Sequence, residues 1–233
     1  MFPLGVKWHF EDFIYGSFDG SVTTFAVVAG AIGASLSPEI VLILGFANLG
    51  ADGFSMAVGN YQAVKARIEY IEKERKREEW EIDNMEESER QEIRDIYAKK
   101  GFAADLLDEI VRVITARKKV WVDTMMKEEL GLIEDGRKPL DTATSTIFGF
   151  VVIGIIPLIP FIILYAAGLQ SNSASFTYSI IATSIAFFII GIIKGKIVNK
   201  PWIRSGFMTL LIGGIAAAVA YVVGILIRNL IDI

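Results

Sequence analysis

Asp19 and Asp52 are carboxylates set in stretches that are otherwise apolar enough to cross a bilayer. A carboxylate at the centre of a membrane helix costs about 2.5–3.5 kcal/mol on insertion scales, so it reads as a functional group facing a bundle interior or an aqueous cavity. Asn48, Asp52, Met56 and Asn60 recur every four residues and therefore share one face of a helix. Three of them offer oxygen and one a thioether. Asp19, with Thr23 one turn further on, would complete a narrow polar seam opposite that face. Two acids on consecutive helices point to a cation path; the plainer alternative is a pair of buried, protonated and hydrogen-bonded carboxyls.

A second group of ligand-type side chains lies in a block of dense charge. Glu74, Glu78 and Glu81 fall at i, i+4 and i+7, and Glu89 and Glu92 are one helical turn apart. Met125, Met126 and Glu129 follow in a segment polar enough to be exposed. Carboxylate oxygen together with thioether sulfur suits a borderline transition metal better than Ca²⁺ or Mg²⁺, which prefer oxygen alone. The plain alternatives are a solvated acidic face balanced by Lys73, Lys76 and Arg77, and a methionine pair that fills a core.

The elements that must position these groups follow from hydropathy. Apolar runs of about 17–25 residues read as membrane spans, near 14–36, 39–61, 146–169, 176–194 and 206–228. The fold expected is all-α, with five transmembrane helices per subunit and a three-helix insert between spans 2 and 3: 1–61 carries the first two spans, 62–142 the insert, and 143–233 the remaining three. The first two spans are rich in glycine, which lets backbones approach closely and places them mid-bundle. Pro157 and Pro160 should kink the third span. The fifth has a small-residue face, Gly213 to Ala220, suited to packing in the bundle or against a second subunit.

Residues 62–142 hold 17 of the 23 Lys/Arg and 21 of the 27 Asp/Glu, which separates a soluble insert from a membrane part. With no proline between Pro38 and Pro139, that insert reads as helices over Tyr61–Asp83, 86–99 and 102–131. Lys194, Lys196, Lys200 and Arg204 cluster after the fourth span, while the 35–39 turn and 170–175 have no Lys or Arg. The positive-inside rule then puts the N-terminus and the insert in the cytoplasm and Asp232 outside. A sequence pI of 5.2 argues against a nucleic-acid partner. There is no cysteine, so disulfides and thiolate metal sites are excluded. The opening residues, with Lys7, His9, Glu11 and Asp12, lack the pattern of a secretory signal, so the first helix is expected to be retained.

Three segments carry a resemblance: Asp19-Gly-Ser-Val-Thr-Thr-Phe-Ala-Val-Val-Ala-Gly, Ala51-Asp-Gly-Phe-Ser-Met-Ala-Val-Gly-Asn-Tyr and Met125-Met-Lys-Glu-Glu-Leu-Gly-Leu. In this order they resemble the vacuolar iron transporter family, whose prokaryotic members have similar length. The resemblance implies a homodimer in a prokaryotic cell membrane that moves Fe²⁺, and related Mn²⁺, Co²⁺ or Zn²⁺, out of the cytoplasm in exchange for protons, with no organic cofactor. It implies a metal path through Asp19 and Met56, and a cytoplasmic domain that gathers metal with Glu78, Glu81, Glu89, Glu92, Met125, Met126 and Glu129. The chain departs from the family pattern at Phe18, where Asn is common, and at Asn60, where Glu is common; Asp52 is a candidate to replace that missing acid.

Two other classes compete with a transporter. A membrane-embedded carboxylate iron oxidase would also use helical glutamates, but its di-iron motif needs Glu-x-x-His from two helices, and His9 is the only histidine. A metal-responsive scaffold would leave Asp19 and Asp52 without a purpose.

Overall fold

A computed structural model describes residues 9–169 and 172–231, and every regular element among them is helical. The helices are α1 (Phe10–Gly33), α2 (Pro38–Asn84), α3 (Glu86–Lys99), α4 (Ala104–Thr115), α5 (Lys118–Glu128), α6 (Pro139–Gly154), α7 (Ile159–Ala166), α8 (Asn172–Ile197) and α9 (Trp202–Ile231). They form two compact units, one of residues 1–62 and 139–233, the other of 63–138. Asp232 and Lys7, used above for topology and for the absence of a signal, lie outside the described residues.

The first unit is turned inside out relative to a water-soluble protein. Large apolar side chains face outward, among them Ile43 and Phe54 on α2, Ile181 and Ile185 on α8, and Leu211, Ile215 and Leu226 on α9. Hydroxyls lie inside: Ser17, Ser21, Thr24, Thr142, Thr146, Ser179 and Thr183 have no exposed surface. Lipid accepts this distribution and water does not, because polar groups in hydrocarbon must find partners within the protein. Among the described residues, four helices are long and apolar enough to cross a membrane: α2, α6 with α7 taken together, α8 and α9. The sequence reading expected five. The difference is α1, which has the length, at 24 residues, but carries Glu11, Asp12, Asp19 and four glycines.

Those glycines explain where α1 sits. It packs against α6, α8 and α9. A Cβ on Gly16 would strike the Thr146 carbonyl of α6, and one on Gly33 the Tyr221 carbonyl of α9. On α9 itself, a Cβ on Gly224 would meet the Gly30 carbonyl of α1. In α2 the expectation holds only in part, since Gly45 and Gly53 face Leu158 and Phe150, whereas Gly50 and Gly59 meet open space. The third span is interrupted as its prolines require: α6 ends at Gly154, a 3₁₀ turn covers Ile156–Leu158, and α7 resumes at Ile159. Ser179 Oγ donates to the Pro157 carbonyl at 2.7 Å, giving the broken helix a partner.

The second unit is built around its own apolar core of Ile71, Ile82, Ile93, Leu107, Val111, Ile114, Trp121, Val122, Met125 and Met126. The helix expected over 102–131 is two helices, α4 and α5, with extended backbone at Arg117. The core register Leu107, Val111, Ile114 would reach Lys118 next, and an unbroken helix would bury that cation. The break lets Lys118 Nζ pair with Asp83 at 2.5 Å instead.

Close backbone contact between α1 and α9 should make the first unit sensitive to a single methyl group. Gly224→Ala is expected to cost about 1–3 kcal/mol, as overpacking does, and to lower the thermal unfolding midpoint in detergent. Gly214→Ala, with nothing near its Cβ, should leave that midpoint unchanged or slightly higher.

Candidate functional site

The seam predicted between the first two helices is present as a hydrogen-bonded strip. Asn48 on α2 donates from Nδ2 to Thr23 Oγ1 at 3.4 Å and Thr24 Oγ1 at 3.3 Å on α1. Thr23 donates in turn to the Asp19 carbonyl one turn back, at 2.9 Å. Asp19 and Asp52 are both partly buried and lie close enough to repel one another. Met56 is partly buried against the apolar cluster that includes Val28, Leu49 and Phe150. The four-residue period of α2 is therefore a face turned toward its neighbours.

Asn60 closes the strip at the other end. Its Nδ2 donates to Asp12 Oδ1 at 2.8 Å and to Thr146 Oγ1 at 2.7 Å. Asp12 is only 6% exposed. A glutamate at position 60 would bring a second carboxylate onto Asp12, whereas an amide can donate to it. The carboxylate in direct contact with position 60 is that of Asp12. Asp12 was missed in the sequence because it stands in the first turn of α1 among other charges. Its spacing of seven residues from Asp19 was the available signal, since it places both acids on one face.

In the second unit, the structure gathers the predicted glutamates of α2, α3 and the end of α5. Glu78 and Glu89 are buried, at 1% and 4% exposure, and one oxygen of each, Oε2, has no hydrogen-bond partner. Burial, followed by repulsion from Glu92, Glu78, Glu81 and Glu129, pushes the Glu89 carboxyl up to about 7. Burial and repulsion from Glu78 and Glu92 likewise push Glu129 up to about 7, against the pull of Arg77. Glu129 lies at the exposed edge, where water screens it. Burial raises Glu78 as well, opposed by a hydrogen bond from Arg77. Desolvated, mutually repelling carboxylates with bare oxygens are a site suited to a cation.

Two expectations are corrected here. Met125 and Met126 are not exposed; they are 0% and 2% accessible and belong to the apolar core, because α5 must bury one face against α2 and α4 with Trp121 and Val122. In addition, among the described residues no three carboxylate or imidazole groups converge tightly enough to hold a metal as they stand. Arg77 pairs with three of the carboxylates of α2, those of Glu74, Glu78 and Glu81.

Residues 10–225 match the VIT family. The chain belongs to the VIT family. It is 35% identical to a vacuolar iron transporter of Plasmodium falciparum, over 96% of this chain and 84% of that protein. It is 38% identical to one from Toxoplasma gondii, over 92% and 73%, and 34% identical to vacuolar iron transporter 1 of Arabidopsis thaliana, over 91% and 84%. As a VIT-family protein with these apolar helices, the chain is an integral membrane protein.

The raised Glu89 carboxyl fixes the pH response of this VIT-family insert. The folded state holds a proton that the unfolded state, at the ordinary 4.5, gives up. The resulting stabilisation is complete below about 4.5 and is lost as pH rises through about 7. In chelator, the melting temperature of the second unit should fall between pH 5 and pH 8, and Glu89→Gln should flatten that decline.

Proposed function

We propose that the chain transports divalent transition metal, Fe²⁺ first among them, across the membrane in exchange for protons. The observation that carries this reading is the partly buried strip of Asp19, Asn48, Asp52, Thr23 and Met56 in a unit whose outward surface is apolar. Carboxylate and amide oxygens with a thioether form a donor set for a borderline metal. Relatives named iron transporters over nearly the whole chain support the same cargo.

In this reading Asp19 and Met56 hold the metal in the path, and Asn48, Asp52, Asn60 and Thr23 line it. Because metal ligation requires a deprotonated carboxylate, metal and proton compete for the same groups. Exchange also relieves an electrical cost: moving a divalent ion out of a negative-inside compartment costs about 4.6 kcal/mol per 100 mV, twice the figure for a unit charge. Two protons moving inward cancel it. Manganese, cobalt and zinc are alternative cargoes of the same chemistry.

The proposal includes α1 as a fifth span, since it packs against α6, α8 and α9, with the N-terminus and the 62–142 insert in the cytoplasm. It includes two copies per assembly in a prokaryotic cell membrane. The insert is the metal-collecting domain, using Glu78, Glu81, Glu89, Glu92 and Glu129, with Met125 and Met126 reaching the ion only if α5 shifts in its core.

Proteoliposomes test the function directly. Fe²⁺ flux under an imposed pH gradient should fall at least about tenfold in Asp19→Asn and in Met56→Ala, the loss of one charged or soft ligand in a desolvated site, with folding and assembly unchanged. Wild-type flux in Asp19→Asn, or uptake against a metal gradient that survives collapse of the pH gradient, would defeat the path or the exchange respectively. Fe²⁺-dependent oxygen consumption would favour the oxidase instead.

A further inference from the structure

Arg77 has an unusual position in the glutamate cluster. Its guanidinium reaches three carboxylates with three different nitrogens: Nη1 lies 2.7 Å from Glu74 Oε2, Nη2 3.1 Å from Glu78 Oε1, and Nε 3.4 Å from Glu81 Oε2. The side chains of Glu74 and Glu78 are nearly inaccessible, at 5% and 1%, while that of Arg77 is 46% exposed. The cation therefore sits on the solvent side with the acids beneath it.

The neighbouring basic groups are committed elsewhere. Arg75 pairs with Asp123 and Glu134, Arg90 with Glu86 and Thr115, Arg94 with Asp108, Lys100 with Glu128 and Lys118 with Asp83. Lys73 pairs with Glu74, at 3.4 Å, and lies over the Tyr70 ring, from a side chain that is 76% exposed. Against the mutual repulsion of Glu78, Glu81, Glu89, Glu92 and Glu129, Arg77 is the basic group acting on both Glu78 and Glu129.

We propose that Arg77 is the resident counter-cation of the metal-free cluster, displaced by an arriving divalent ion, and that it thereby sets the metal concentration at which the insert fills. This rests on the reading of the glutamates as metal ligands. A guanidinium cannot leave by losing its proton, so it must swing away, and its exposure and flexible stem allow that without disturbing the core. Its planar fork spreads Glu74, Glu78 and Glu81 around it, which accounts for carboxylates that are neighbours without converging. Oε2 of Glu78 and of Glu89, buried and without a hydrogen-bond partner, are the oxygens that a metal would gain once Arg77 has swung aside. The incoming ion exchanges two charges for one and must also replace one charge-assisted hydrogen bond, to Glu78, and two further ion pairs, to Glu74 and Glu81. Weakly binding cations fail that competition, and tighter-binding transition metals prevail.

The test uses the full-length protein in detergent. Mn²⁺ binding is followed by the loss of the free-ion spin-resonance signal, and Fe²⁺ binding by anaerobic calorimetry. Arg77→Gln should tighten binding at the insert by about tenfold or more. It should also lower the metal-free melting temperature and enlarge the rise that metal produces. Arg77→Lys, which keeps the charge and loses the fork, should fall between. In the wild type, mass spectrometry after phenylglyoxal treatment should show faster modification of Arg77 with Mn²⁺ than with chelator. Unchanged or weaker binding in a helical Arg77→Gln protein, or slower modification of Arg77 on adding Mn²⁺, would overturn the proposal. If Glu89→Gln leaves wild-type stoichiometry intact, the ligand reading itself fails, and the role of Arg77 with it.

Discussion

Close approach of α1 to the helices around it is the constraint on which the membrane unit depends. Where Gly16 meets the Thr146 carbonyl and Gly33 the Tyr221 carbonyl, backbones come nearer than any side chain would permit. That proximity makes a polar interior affordable. Asn48 can reach the hydroxyls of Thr23 and Thr24, and Asn60 can reach both Asp12 and Thr146, because the helices carrying them are held at short range. A bulkier α1 would be better suited to lipid by composition and would leave the strip without partners.

The second unit solves the opposite problem. Its acids are partly withdrawn from water by an apolar core that includes Ile93, Trp121 and Met125, and the guanidinium of Arg77 offsets the charge of Glu74, Glu78 and Glu81. Burial and repulsion raise the energy of the ionised cluster. The core that buries Met125 and Met126 also supplies the rigidity from which the glutamates extend. The methionines thus contribute to the fold whatever their part in ligation.

Much of this was legible from residue spacing. The four-residue period Asn48, Asp52, Met56, Asn60 is a true face of α2, and the i, i+4, i+7 pattern of Glu74, Glu78 and Glu81 is a true face of its later part, because helical geometry alone dictates both. What escaped the sequence depended on tertiary partners. Asp12 resembled ordinary helix-start charge until Asn60 was found donating to it. The Met pair looked exposed because Asp123, Lys127, Glu128 and Glu129 surround it in sequence, although they leave one narrow face to Trp121, Val122, Met125 and Met126. The split between α4 and α5 has no glycine or proline to announce it; it follows from where Lys118 would otherwise have been buried. Hydropathy ranks α1 below the four longer apolar helices for the same reason that makes it central, since its acids and glycines serve neighbours.

The interruption at Pro157 changes the mechanics of the third span. One uninterrupted rod would transmit any tilt along its whole length, but this one is jointed. α6 is wedded to α1, α7 to α8, and between them a short 3₁₀ segment is latched to α8 by the single hydroxyl of Ser179. The two halves rest on different neighbours, so a tilt of α6 with α1 passes to α7 through the 3₁₀ turn, which itself touches both α1 and α8.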